Sequence, residues 1–508
     1  MRTGACQIGC SAMLSFAMLT YAASGLAQER SLPGDSSVPT YHAGADRSGN
    51  FIVPTLTWER ARSLRLDRSF HTRVSGHVYA QPLYWHPPGA DTGQLLVATE
   101  SDTVYALDAS TGNEVWSRSL GKPVASSSLQ CGNIDPLGIT GTPVIDESTE
   151  SIYLDAAVAG PAGLRHLIFG LSLKDGSPLP GWPIDVADEL QAEQRTFNPA
   201  EQNQRGALTI VQGRLYVPFG GHDGDCGDYH GWLVGISLDN PKNVASWMTR
   251  ARGGGIWAPG GVSSDGKSLF AATGNTFDAS TWSDGEAVFR LPLDLQRSDK
   301  TQDFFAPSDW YDLDQRDADL GGTNPLPLDV PTRTGTKAFV LALGKDGRAY
   351  LLDKNDFGGI GGALAVETVS TGPIRTAPAA YPTTNGVFVA FQGKGADCPT
   401  AGRDNGLTVL GIHAGAPPTI ATAWCGAVSG AGSPIVTTTD GHSNPIVWIL
   451  GAEGDNRLHG FKGDTGELLF DGGATTDRMI GLRHFQTLIA AENRLYVAAD
   501  DAVYAFSF

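Results

Sequence analysis

One unit of sequence recurs along this chain and limits its fold more than any other feature. Its clearest copy runs from Leu95 to Leu120, LLVATESDTVYALDASTGNEVWSRSL. A strand, LLVAT, leads through a short turn into TVYALDA, then through Ser110-Thr111-Gly112-Asn113 into EVWSRSL. Val104, Ala106 and Asp108 alternate with Tyr105 and Leu107, the two-residue period of a strand with two distinct faces. The unit returns as IVWILGAEGDNRLHGFKGDTGELLF from Ile446 to Phe470, and more loosely as AFVLALGKDGRAYLLDKNDFGG from Ala338 to Gly359. A supersecondary unit repeated in this way cannot bury its faces alone and must stack against its neighbours.

A short strand, often with proline near its start, precedes each unit. These read AQPLYW at 80, GTPVID at 141, RGALTI at 205, APGGVS at 258, KAFVLA at 337, APAAYP at 377, SPIVTT at 433 and FQTLIA at 485. Eight innermost strands at about 60 residues each leave room for four strands plus long loops. The expected fold is therefore all-β, a single eight-bladed β-propeller of four-stranded antiparallel blades, with seven blades as the competing count. The chain ends RLYVAADDAVYAFSF at Phe508, which lacks an outermost strand. Leu64 to Val74, LRLDRSFHTRV, has the alternation to supply it and so to close the ring without an open sheet edge.

Residues 1–27 carry one charge, Arg2, then an apolar run from Ala12 to Ala23, then small residues to Ala27, the pattern of a cleavable secretory signal. The expected organisation is a signal over 1–27, an N-terminal extension over 28–63 and the propeller over 64–508, with a periplasmic or secreted location. No stretch reaches the roughly 20 apolar residues of a transmembrane helix. The formal charge of −18 repels phosphate backbones, which argues against a nucleic-acid partner. Outside the signal stand Cys131, Cys226, Cys398 and Cys425. Cys398 and Cys425 fall in one repeat and are the expected pair, leaving Cys131 for Cys226.

The run Ala106-Leu107-Asp108-x-x-Thr111-Gly112-x-x-x-Trp116 resembles the repeat of the pyrroloquinoline-quinone (PQQ) dehydrogenase superfamily and of its non-catalytic relatives, the outer-membrane assembly scaffolds. Packing between blades explains Trp116 and the Thr-Gly turns by itself, so these signatures specify fold rather than chemistry. More specific is Gly253 to Asn275, GGGIWAPGGVSSDGKSLFAATGN, which is similar to the dehydrogenase segment whose Trp floors the quinone and whose Asn ligates Ca²⁺ or a lanthanide. The resemblance implies those roles for Trp257 and Asn275. A flat quinone needs an aromatic face, and a hard cation needs oxygen ligands. Asp312 and Asp314, in Trp310-Tyr311-Asp312-Leu313-Asp314, match the family's catalytic base and its added lanthanide ligand. In Gly344-Lys345-Asp346-Gly347-Arg348-Ala349-Tyr350, Lys345 matches the cation that polarises the quinone oxygens.

Three positions depart from that pattern. Many relatives close two adjacent cysteines over the quinone, followed by an Arg that grips a carboxylate; here Cys131 is followed by Gly132, and Leu137 stands for the Arg. Cys226 falls at or next to the family's metal-binding Glu, with Asp223, Asp225 and Asp228 as substitutes, Asp225 foremost. A bond between Cys131 and Cys226 would cap the site. His222 and His230 beside Asp223 also have transition-metal chemistry, although a loop rich in Gly and Asp is more often a solvated connection. There is no Cys-x-x-Cys-His, hence no c-type haem, and electrons would leave to a separate acceptor.

Two functions remain open. One is a PQQ-dependent oxidation of a small alcohol or sugar. The other is a scaffold binding a protein or glycan, in which Glu201-Gln202-Asn203-Gln204-Arg205 and Ile374-Arg375-Thr376 line the funnel mouth.

Overall fold

A computed structural model describes Met1 and residues 37–384, 386–399 and 406–508. The proposed signal over 1–27 lies outside the described residues. The strands form eight separate antiparallel sheets arranged as an eight-bladed propeller. Blade 1 is Leu83–Trp85, Gln94–Thr99, Thr103–Asp108 and Glu114–Ser119, and blades 2 to 7 follow in chain order from innermost strands Val144–Asp146, Thr209–Val211, Ser263–Ser264, Leu326–Thr332, Ala379–Thr383 and Ile435–Thr438. Blade 8 combines Leu488–Ala491, Arg494–Ala499 and Ala502–Ser507 with Arg65–Leu66, which pairs antiparallel to Phe506 and Ser507. The chain's two ends thus share one sheet, and Arg494 ties it to blade 1 by donating to the Ala109 and Ser110 carbonyls.

The strand expected over Leu64 to Val74 is only two residues long. Asp67 Oδ1 accepts from the Ser69 main-chain N–H and hydroxyl, turning the chain, while Phe70 and Val74 enter the core from loop conformation. Another expectation shifts in blade 5. KAFVLA belongs to its second strand, Gly335–Leu343, and the innermost strand is Leu326–Thr332. Pro327 and Pro331 mask that strand in the sequence, although an innermost strand has a free edge on which a missing N–H is tolerated.

The repeat residues are explained by how blades dock. Asp108 Oδ1 accepts from the Ser110 and Thr111 N–H groups, and Gly112 closes the turn at φ +82°. Trp116 of blade 1 donates to Leu173 O and lies against Gly176 of blade 2, where a Cβ would sit 2.6 Å from the ring. Trp424 of blade 6 meets Gly463 and Gly466 of blade 7 in the same way. Both disulfides expected from the sequence form, Cys131–Cys226 and Cys398–Cys425.

Residues 38–53 run as a strap around the axis at one end of the central channel. Val38 bridges Tyr84 in blade 1. Ile145 of blade 2 donates to Pro39 O, Ser264 of blade 4 to Ala45 O, Ala380 of blade 6 to Ser48 O and Val436 of blade 7 to Gly49 O. Asn50–Ile52 then adds in parallel to the inner strand of blade 7. Arg47, with no exposed surface, pins the strap from inside. Its guanidinium donates to Gly260 O, Thr40 Oγ1, Tyr41 O and Leu208 O at 2.7–3.0 Å, and to Thr209 Oγ1.

Candidate functional site

The opposite end of the channel opens into a cavity of about 510 Å³, whose wall includes Trp257, Asn275, Asp225, Lys345, Asp317 and Asp319. That volume suits a small organic ligand. A narrow space of about 20 Å³ continues from Arg205, His484 and Phe485 to Tyr41 of the strap, which forms the channel floor.

Trp257, Asp319 and Lys345 form one unit. The indole Nε1 donates to Asp319 Oδ2 at 2.8 Å, and the Lys345 ammonium lies 2.5 Å from Asp319 Oδ1, 2.7 Å from Asp317 Oδ1 and 5.2 Å from the centroid of the Trp257 ring. Glycine at 274 makes this possible, because a Cβ there would stand 2.5 Å from Asp319 Oδ2. The Lys345 turn is held by its own N–H on Asp319 O and by Asp346, which accepts from the Arg348 N–H. Burial works against the Lys345 charge, but Asp319 and Asp317 outweigh it and hold its pKa above the ordinary lysine value. Behind Asp319, the Glu286 carboxyl is raised well above the usual range, first by burial and then by the Asp319 charge. The unit therefore presents one fixed cation beside an aromatic ring, with Asp317 as its solvent-reaching carboxylate.

Asn275 and Asp225 also line the cavity, and Asp225 accepts from the Tyr229 hydroxyl at 2.6 Å. The Cys131–Cys226 bond flanks the same wall, next to Gly224 and the cavity residue Asn133. Asp314 is buried below the wall, accepting from the Thr276 N–H at 2.5 Å and from its hydroxyl at 3.0 Å. Asp312 is exposed outside it. The cause is local: Trp310–Gln315 is helical, and two residues on a helix are about 200° apart, so Asp312 and Asp314 cannot face one site. The Asp-x-Asp spacing repeats five residues later in Asp317-Ala318-Asp319, and it is this loop pair that reaches Lys345. That second copy was the available sequence signal.

The wall suits a flat quinone better than a hard cation. Trp257 offers a fixed ring and Lys345 a fixed donor. By contrast, no group of three or more His, Cys, Asp or Glu among the described residues is placed to hold a metal. Asn203 Oδ1 is buried without a partner and Asn275 stands nearby in the wall, but with Asp225 these fall short of the six to eight oxygens Ca²⁺ takes. The donor set does not fit the ion. His222 and His230 belong to no cluster of three or more such groups among the described residues.

A family model described as outer membrane protein assembly factor BamB matches residues 56–224. No curated protein matches the sequence. Among solved structures, the chain is similar to the quinohemoprotein alcohol dehydrogenase from Comamonas testosteroni, at 13% identity and a TM-score of 0.62, covering 92% of this chain and 80% of that one. A quinohemoprotein alcohol dehydrogenase from Pseudomonas putida HK5 is similar at 13% identity and 0.63, covering 93% and 80%. A europium-containing methanol dehydrogenase is similar at 14% and 0.59, covering 93% and 91%. At these identities the likeness is one of fold.

Proposed function

We propose that the cavity of this eight-bladed β-propeller binds a quinone of the PQQ type and oxidises the hydroxyl of a small alcohol or sugar. The observation that carries this reading is the Trp257–Asp319–Lys345 unit, which joins an aromatic surface to a fixed cation at the channel mouth. When bound, such a quinone takes up the hydrogen of the substrate's C–H bond together with the bonding electron pair.

Each residue then has a defined task. Trp257 supplies the stacking surface, and Lys345 donates to the developing charge on the acceptor oxygens. Asp317, on the open side of the ion pair, accepts the substrate's hydroxyl proton, while Asp319 positions both Trp257 and Lys345. The Cys131–Cys226 bond covers one flank. No step runs through a metal. Electrons leave to a separate acceptor, and the two disulfides suit an oxidising, extracytoplasmic setting reached through the 1–27 signal.

The weak metal donor set favours a second reading, in which the propeller binds a protein or glycan without turnover. Reconstitution with PQQ decides between them. The protein should gain quinone absorbance and reduce a dye with an alcohol or aldose. Asp317→Asn should lower turnover about 10²- to 10⁴-fold while keeping the quinone, and Trp257→Ala should lose the quinone. A wild-type protein that takes up no quinone, or an Asp317→Asn variant with undiminished turnover, contradicts the enzymatic reading.

A further inference from the structure

Arg205 lines the cavity, yet the proposed reaction leaves it unused and no bond of the fold accounts for it. It sits in the wall, where its guanidinium lies 5.3 Å from the centroid of the Phe485 ring. Among the described residues it has no hydrogen-bond or ion-pair partner. Arg375, exposed at the rim of the same cavity, has none either.

The nearby acids do not neutralise them. Asp223 and Glu453 contribute to the field at Arg205 without reaching it, and Glu453 is committed to His484 Nδ1 at 2.9 Å. Glu100, also within range, is buried, with its carboxylate oxygen on the Gly138 N–H. The combined positive field registers on His484, whose pKa is lowered first by burial and then by Arg205, with a smaller push from Arg375. A half-buried cation with no ion-pair partner is unfavourable unless something else supplies one.

We propose that Arg205, with Arg375 at the rim, forms an anion subsite that takes a carboxylate of a small ligand. The resemblance places the carboxylate-gripping Arg at Leu137, which is buried with Val124 and Ile134. A guanidinium–carboxylate pair in this partly dry cavity is charge-assisted and stronger than a neutral hydrogen bond. Two sources offer the same group: the carboxylates of a PQQ-type quinone, or an acidic sugar as substrate. The first source rests on the quinone reading; the second does not.

Isothermal titration of the purified protein with PQQ, and separately with glucuronate against glucose, tests the subsite without relying on activity. Arg205→Gln should weaken the binding anion about 10- to 100-fold, and Arg375→Gln less, because it is solvated. Arg205→Lys should recover part of the affinity, which separates lost charge from misfolding. PQQ binding that falls in Arg205→Gln supports the subsite. Glucuronate binding that depends on Arg205, with no PQQ binding, supports the subsite and overturns the quinone reading. Equal binding by wild type and Arg205→Gln overturns the subsite and leaves the quinone reading standing. Failure of both anions to bind wild type overturns it as well.

Discussion

The two ends of the central channel each hold an arginine inside the protein, and the two are used in opposite ways. Arg47, at the strap end, reaches seven acceptors from the strap and blades 3 and 4. Arg205, at the cavity end, has an aromatic ring and no acceptor among the described residues. An arginine with all its donors satisfied rigidifies a fold. One left without acceptors is a standing cost to stability that folding does not offset, the mark of a position kept for something other than stability. The strap thus closes one mouth of the channel, and the cavity lies at the other.

The largest effect that can break this comparison is on stability. Arg47→Met should cost about 3–5 kcal/mol in denaturant unfolding, since it strands several buried acceptors at once. Arg205→Gln should leave the midpoint unchanged or raise it. Equal losses from both substitutions would mean that the two ends are not different in kind.

A smaller effect separates the ends by pH. Asp102, buried without a carboxylate partner behind the cavity, has its pKa pushed up to about 8, chiefly by burial and then by Glu100, which is itself raised to about 7. Between the usual carboxylate range near 4 and about pH 8 the native state holds protons that the unfolded chain has released, so stability falls as pH rises through that window. His42 in the strap has its pKa lowered to about 3, again chiefly by burial. Its contribution is present above about pH 6.5 and is lost as pH falls from there toward 3. Asp102→Asn should flatten the fall in stability between about pH 4 and 8, and His42→Gln the loss below about pH 6.5, each by on the order of a few kcal/mol. Curves unchanged by either substitution would remove both buried groups from the account.

The smallest effect concerns the disulfides. The Cys131→Ser/Cys226→Ser double variant should weaken ligand binding at the cavity by a few fold, because that bond flanks the wall. Cys398→Ser/Cys425→Ser, within one blade, should lower stability without touching affinity. Calorimetric titration of both variants reads the difference.

The propeller was legible in the sequence because some blades repeat the same turn chemistry, with Asp108, Gly112 and Trp116 as its markers in blade 1 and Gly466 with Trp424 at the seam of blades 6 and 7. Leu326–Thr332 was not, because its prolines imitate a loop. The strap was also hidden. Its register comes from main-chain bonds to successive blades, which leave no periodic side-chain pattern between Val38 and Val53. At the site, Trp257, Asn275 and Lys345 were readable from local motifs and share one cavity. The Asp-x-Asp that reaches Lys345 is the loop copy at 317–319 rather than the helical copy at 312–314, a difference the sequence does not show because the spacing is the same on a helix and on a loop. Arg205 carries no signal beyond its charge, since its lack of a partner exists only in three dimensions.

Hydrogen–deuterium exchange with and without PQQ tests the division between the two ends most directly. Protection should appear in peptides covering 203–205, 255–257, 317–319 and 345, while 38–53 should exchange alike in both states, its N–H groups at Val38, Ala43, Arg47, Gly49 and Val53 being bonded within the strap or to a blade with or without ligand. Protection gained in 38–53, or none around Trp257 and Lys345, would contradict the assignment of ligand binding to the cavity end.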